Sequence, residues 1–275
     1  VASAPDTSFA GLGLRGSLRP YQQRALDAFE ADRAAGRRCT HLVAPPGSGK
    51  TVIGLEIARR LERPALVLAP TATIAAQWAD KLSLFTDEPA AFLAPQGPLT
   101  VLTYQSICQT SDPGGALRAA AEDHLIGERA TATGSTPADV RTEVDGFTGV
   151  ARERFERDVS AEIARAKRAA VRGDATALAA GALLSATARG RLDQFVAAGI
   201  GTLVLDECHH LASLWGYLVR AAISELPDVH VVGLTATSPS ELSGDEAELY
   251  TSILGPVDFQ IPTPAVVRDG HLAPY

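Results

Sequence analysis

The chain has 275 residues, 46% hydrophobic and 21% charged, enough to bury one large α/β domain or two small ones. Its net charge is −7 and its pI about 5.4, so any nucleic-acid binding rests on a local surface and not on the global field. No apolar run approaches the roughly 20 residues that cross a bilayer, and the start, Val1-Ala2-Ser3-Ala4-Pro5-Asp6, lacks the basic and apolar regions of a secretory signal. Three widely spaced cysteines, Cys39, Cys108 and Cys208, argue against a disulfide framework and fit a reducing cytoplasm. The chain contains no methionine, which points to a fragment of a longer protein.

Residues 1–17 read as a flexible, Ser/Ala/Gly-rich lead-in. A helix opens at Leu18-Arg19-Pro20-Tyr21-Gln22 and runs to about Ala35, with Pro20 in its first turn and Tyr21, Ala25, Leu26 and Phe29 as its apolar face. The run Thr40-His41-Leu42-Val43 then enters Ala44-Pro45-Pro46-Gly47-Ser48-Gly49-Lys50-Thr51, and a helical pattern follows. That is strand, phosphate loop, helix. Glycines let backbone N–H groups face a phosphate, the helix N-terminus adds partial positive charge, Lys50 reaches the outer phosphates and Thr51 holds Mg²⁺. Ala44 stands where the general pattern has its first glycine.

Pro64 to Pro70 reads as a buried strand, after which Thr71 caps a helix carrying Ile74, Trp78 and Leu82. At this spacing Trp78 reads as core. Leu99-Thr100-Val101-Leu102-Thr103 is the next strand, followed by Tyr104-Gln105-Ser106. Residues 109–198 break the rhythm and read as a helical insertion packed against the sheet domain. Its clearest helices cover 150–172 and about 174–198, and the first is rich in arginine. Strand and helix then resume at Gly201 to His210, continue through Val229 to Leu234 and Thr235-Ala236-Thr237, and end with a helix at 241–254 and a strand near 257–261. The alternation predicts a mostly parallel sheet with helices on both faces, built from 18–108 and 199–261. Residues 262–275 read as a linker.

Asp206-Glu207 closes an apolar strand, and in an open parallel sheet that edge is where ligands bind. One carboxylate, Asp206, holds the Mg²⁺ that bridges phosphates, and the next, Glu207, orients and deprotonates the attacking water. A zinc site from Cys208, His209 and His210 is excluded, because neighbouring residues cannot converge on one tetrahedral ion.

Together these stretches resemble the first RecA-like motor domain of a superfamily 2 helicase or translocase of the DExH group. The phosphate loop matches motif I, where alanine in first position is normal, Asp206-Glu207-Cys208-His209 motif II and Thr235-Ala236-Thr237 motif III. Leu18-Arg19-Pro20-Tyr21-Gln22 resembles the adenine-reading motif, and Ala69-Pro70-Thr71 with Gln77-Trp78 resembles motif Ia. These variants lean toward the branch of type I and type III restriction motors and XPB-like DNA translocases.

The resemblance implies a RecA-like P-loop NTPase fold, with ATP and Mg²⁺ as cofactors. Gln22 would hydrogen-bond adenine, with Arg19 nearby, while Pro46, Gly47, Ser48, Gly49, Lys50 and Thr51 would cradle phosphates and metal. His209, Thr235, Ala236 and Thr237 would couple the nucleotide to the nucleic-acid groove, and Thr71, Gln77, Thr103 and Tyr104 would line that groove. It implies ATP-driven movement on nucleic acid, DNA favoured over RNA, and a second RecA-like domain elsewhere, without which ATP turnover is slow. The insertion is open to a protein partner or to nucleic acid. The alternative is a nucleotide-gated binding module without unwinding; an unrelated P-loop enzyme would leave the Thr-Ala-Thr and Gln-Trp motifs unexplained.

Overall fold

The computed structural model of the chain describes residues 9, 12–93, 97–108, 112–172, 186–212, 214–226, 228–237, 242 and 244–268. Five apolar runs set the architecture: β1 (Cys39–Val43), β2 (Ala65–Ala69), β3 (Leu99–Thr103), β4 (Thr202–Asp206) and β5 (His230–Thr235). With the two-residue β6 (Phe259–Gln260) they form one six-stranded sheet, in the order β3-β2-β4-β5-β1-β6. Every pairing is parallel. The runs are apolar at successive positions because both faces are covered. Leu66, Leu68, Leu203 and Leu205 belong to one core, while Ala65, Val67 and Val204 belong to the other. The two-residue period of a strand thus divides one run between two layers.

The first layer is α1 (Pro20–Ala34), α2 (Lys50–Leu61) and α3 (Ala72–Leu82), which bury Tyr21, Leu26, Phe29, Ile53, Leu55, Trp78 and Leu82. Pro20 sits in the first turn of α1, and Gly36, at φ +77°, lies just past its end. The short α4 (Pro89–Phe92) follows the first layer. On the other face lie α5 (Tyr104–Cys108), α9 (Ala186–Ala197), a 3₁₀ turn at Cys208–Ala212, α10 (Leu214–Glu225) and α11 (Asp245–Leu254). No helix among the described residues is long and apolar enough to cross a membrane.

The insertion is helical, as expected, and has a small core of its own. That core is built by α6 (Pro113–Thr133), α7 (Pro137–Asp145) and α8 (Gly149–Arg172), around Ala121, Ile126, Ala130, Val140, Val144, Phe155 and Val159. Thr136 starts α7 through a reciprocal cap: its hydroxyl accepts from Asp139 N at 3.2 Å, and Asp139 Oδ2 accepts from Thr136 N at 3.3 Å. Leu117 and Ala166 join the sheet core, which ties the insertion to the domain.

Two boundaries differ from expectation. The lead-in is held from residue 12 on: Phe9 and Leu12 are buried, and the N–H groups of Gly13 and Arg15 donate to the carbonyls of Phe85 and Leu84. Two apolar side chains seal the end of α3, which a polar composition hides. Part of the expected linker is the helix α12 (Thr263–Arg268), anchored by the buried Val266. The helix expected at 174–198 is described from Ala186 only; residues 173–185 and 269–275 lie outside the described residues.

Candidate nucleotide-binding site

β5 lies between β4 and β1, and the register levels their ends: Val43 pairs with Thr235, and Asp206 with Leu234. Three segments far apart in sequence, 44–51, 206–209 and 235–237, therefore leave the sheet side by side on one edge. Ala44 continues β1, donating its N–H to Thr235 O at 2.8 Å. It keeps a negative φ, whereas Gly47 and Gly49 take φ of +76° and +82°. The glycines stand where left-handed backbone is required, and an alanine is tolerated where it is not.

Gly49 opens α2, and a Cβ there would lie 2.5 Å from Gln22 Nε2. Both ends of the Gln22 amide are engaged: Nε2 donates to Ser48 O at 2.8 Å, and Oε1 accepts from Arg19 N at 3.0 Å. Arg19 Nη1 donates to Gly47 O at 3.0 Å and to Tyr21 Oη at 2.7 Å. Gln22, the expected adenine reader, and its neighbour Arg19 thus clamp the phosphate loop onto α1. Pro46 is exposed and Thr51 half-buried at the mouth, while Ser48 is buried and its hydroxyl has no partner.

Lys50 and Glu207 meet across the edge. Lys50 Nζ is 3.0 Å from Glu207 Oε1 and donates to Ala44 O at 3.3 Å. Glu207 itself has φ +50°, a left-handed conformation that costs a non-glycine residue of order 1 kcal/mol. That turn aims the carboxylate back across the edge, where its Oε2 accepts from Ala236 N at 3.3 Å and lies 3.4 Å from His209 Nδ1. His209 Nδ1 is also 3.1 Å from Thr235 Oγ1, and Thr235 Oγ1 accepts from Thr237 N at 3.2 Å. A continuous polar chain therefore joins Lys50, Glu207, His209, Thr235 and Thr237.

Asp206 is 4% exposed. Its Oδ1 accepts from Glu207 N at 3.0 Å, and its Oδ2 accepts from Trp78 Nε1 at 2.7 Å. Burial pushes this carboxyl above the usual range, against the pull of the Trp78 hydrogen bond. Trp78 is core, as its spacing indicates, and it is also a polar partner of the site, which its spacing does not indicate.

The residues assigned to a nucleic-acid groove divide. Thr71 and Gln77 are exposed on α3, where Thr71 accepts from Ile74 N at 3.3 Å. Thr103 is half-buried, its hydroxyl 2.8 Å from Ser106 Oγ. Tyr104 requires a correction: it is 4% exposed, and its phenol donates to Asp206 O at 2.9 Å. The first residue of α5 turns its ring under β4 and away from any groove wall. Sequence reasoning also missed a buried relay beneath the site. Cys208 Sγ is 3.1 Å from Tyr250 Oη, which is 3.0 Å from His41 Nε2, so the turn after β4 is wired to β1. Tyr250 carries no local signal, lying within an ordinary apolar helical face. The side chain of His210 is outside the described residues.

The arrangement fits a nucleoside triphosphate with a divalent cation. Two left-handed glycines open the loop before the N-terminus of α2, and Lys50 is paired with a carboxylate that a phosphate would displace. Thr51 and Asp206 supply hard oxygen donors beside them, the type magnesium takes.

Residues 15–136 match the family described as type III restriction enzyme, res subunit. A putative DNA 3'-5' helicase Rad25 of Halobacterium salinarum is 40% identical over 96 residues, 32% of this chain and 15% of that protein. The DNA 3'-5' helicase XPB of Kineococcus radiotolerans is 32% identical over 98 residues, 33% of this chain and 17% of that protein. The DNA repair helicase/translocase XPB-R of Trypanosoma brucei brucei is 25% identical over 261 residues, 93% of this chain and 30% of that protein. The chain thus spans less than a third of the length of these relatives.

Proposed function

We propose that this chain is a RecA-like ATPase domain of the superfamily 2 DExH-box helicases and translocases, and that it binds ATP with Mg²⁺ and couples hydrolysis to movement on DNA. The observation that carries the reading is the convergence of Lys50, Asp206 and Glu207 on one edge, with Lys50 Nζ 3.0 Å from Glu207 Oε1. Lys50 and the loop N–H groups bind and orient the phosphates. Thr51 and Asp206 would hold magnesium, which neutralises phosphate charge when bound. Glu207, held by Ala236 N and close to His209, takes the proton of the attacking water. The chain from Glu207 through His209 to Thr235 and Thr237 carries the nucleotide state toward the rest of the edge.

Thr71, Gln77 and Thr103 are the groove residues retained in this reading, since short polar side chains suit phosphate contacts. A second RecA-like domain would face the same edge and supply arginines to the transferring phosphate, worth about 10³–10⁵ in rate. DNA is preferred over RNA because the relatives named above are DNA helicases by name. Cys39 and Cys208 are free thiols, which suits a reducing cytoplasm.

Glu207→Gln tests the reading, with wild type and variant made at the same length. Binding of a fluorescent ATP analogue should be retained, while phosphate release in the presence of DNA falls at least about 100-fold. Undiminished hydrolysis would remove Glu207 from the role of base.

A further inference from the structure

We propose that α8 carries a second nucleic-acid contact, outside the nucleotide edge: a row of arginines that grips the phosphate backbone of duplex DNA. At about 100° per residue, Arg154, Arg157, Arg165, Arg168 and Arg172 fall within an arc of about 80° on α8. Ala161 and Val150 share that arc, and no carboxylate lies in it; Asp158 and Glu153 flank it. All five arginines are exposed. Among the described residues only Arg165 has an ion-pair partner, Glu162 at 2.6 Å, and the carboxylate Glu156 is taken up instead by Arg118 and Arg152.

Such a row in a chain of net charge −7 concentrates positive charge where the global balance disfavours it. The row is about 27 Å long, about eight base-pair steps of a duplex measured along its axis. Guanidinium groups suit this ligand, since their fork of N–H donors meets phosphate oxygens in pairs. The C-terminal end of the row opens on a groove of about 570 Å³ between α8, α10 and α11. Lys167, Arg168 and Arg172 line its near side and Glu248 its far side, three cations against one carboxylate. Lys167 is steadied there, with Nζ 4.9 Å from the centroid of the Tyr217 ring.

The contact rests on the nucleic-acid reading of the domain only in the choice of polyanion, and it requires no hydrolysis. A duplex wrapped from the motor edge onto α8 would be held at two places, so the row sets affinity and salt dependence without reading sequence.

The test is fluorescence anisotropy with a fluorescein-labelled duplex of about 25 base pairs at about 50–200 mM salt. One variant combines Arg157→Ala, Arg168→Ala and Arg172→Ala; exposed alanines favour a helix, so α8 should keep its circular dichroism. The control combines Arg15→Ala, Arg129→Ala and Arg141→Ala, which removes the same charge from arginines paired with Asp87, Glu143 and Asp123. The row variant should lose about 2.7 from the slope of log K against log salt, at about 0.9 per contact, while the control keeps the wild-type slope. Equal slopes for wild type and row variant, equal losses in both variants, or displacement of DNA by polyglutamate at equal charge would each overturn the proposal. So would a wild-type chain that fails to bind duplex at the lowest salt. The anisotropy is read without ATP and does not depend on the role given to Glu207, so a failed ATPase assignment and a failed α8 contact give different results.

Discussion

Trp78 donates its indole N–H to Asp206 Oδ2 across 2.7 Å, from a ring with no exposed surface. The same helix carries the exposed Thr71 at its cap and Gln77 one residue earlier. One rigid element therefore touches both the outer face and the buried carboxylate. The fit is close on the other side as well: a Cβ on Gly54 of α2 would come within 2.4 Å of Trp78 Cη2.

Trp78→Phe keeps most of the apolar volume and deletes the donor. Leaving Asp206 Oδ2 without it should cost about 1–3 kcal/mol in denaturant unfolding. Since Asp206 is the proposed metal carboxylate, the magnesium concentration needed for half-maximal ATP hydrolysis should rise about 10- to 100-fold, the usual effect of losing a partner that orients a ligand. An unchanged magnesium titration would show that the indole only packs.

Gly49→Ala should destabilise the chain and weaken nucleotide binding, because φ of +82° and the Gln22 amide at 2.5 Å both oppose a Cβ. The conformational part is about 1 kcal/mol. The steric part depends on Gln22, so Gly49→Ala should cost measurably less in a Gln22→Ala background. A double-mutant cycle by thermal unfolding checks this, and strict additivity would mean that the amide moves aside without penalty.

His230 gives the fold a defined acid sensitivity. Its Nε2 lies 3.0 Å from Thr40 Oγ1, and Phe29 meets its ring edge-on. Burial, then the positive charges of Arg33 and Arg63, push its pKa down to about 4. In the unfolded chain it protonates near 6.5. Between these values the unfolded state binds more protons, so stability rises with pH across the window and is lost as pH falls toward 4. The full effect is about 3 kcal/mol. Denaturant midpoints at about pH 7 and pH 4.5 should converge for His230→Gln relative to wild type; equal losses in both would assign the sensitivity elsewhere.

Much of the nucleotide edge is legible because its pieces are contiguous in sequence. A strand, a turn with Gly47 and Gly49 and a helix beginning at Lys50 state their own geometry, and Asp206-Glu207 at a strand end states its edge. Parallel strands with two buried faces are equally plain, since β2 and β4 are buried at every position. What escapes is direction. Whether Tyr104 faces a groove or the sheet depends on how α5 packs, and the first residues of a helix carry too little periodicity to decide it. The bond from Trp78 to Asp206 spans 128 positions, so no local pattern encodes it. Within the insertion, Gly114, Gly115 and Pro137 sit in the first turns of α6 and α7, and Gly134 caps the end of α6, so these helix-breaking residue types mark helix ends. The lead-in misled because two apolar residues, Phe9 and Leu12, outweigh the polar composition around them.

The Cys208–Tyr250–His41 relay has a practical corollary. Cys208 has no exposed surface, and burial holds its thiol pKa up at about 12, so an alkylating reagent meets neither an accessible sulfur nor a thiolate in the closed fold. The sulfur sits two residues beyond the proposed metal carboxylate. Its labelling rate therefore becomes a clock for opening of that corner of the molecule, readable by mass spectrometry without a probe being introduced. A ligand that tightens the edge should slow the clock, and anything that prises the turn after β4 from Tyr250 should speed it.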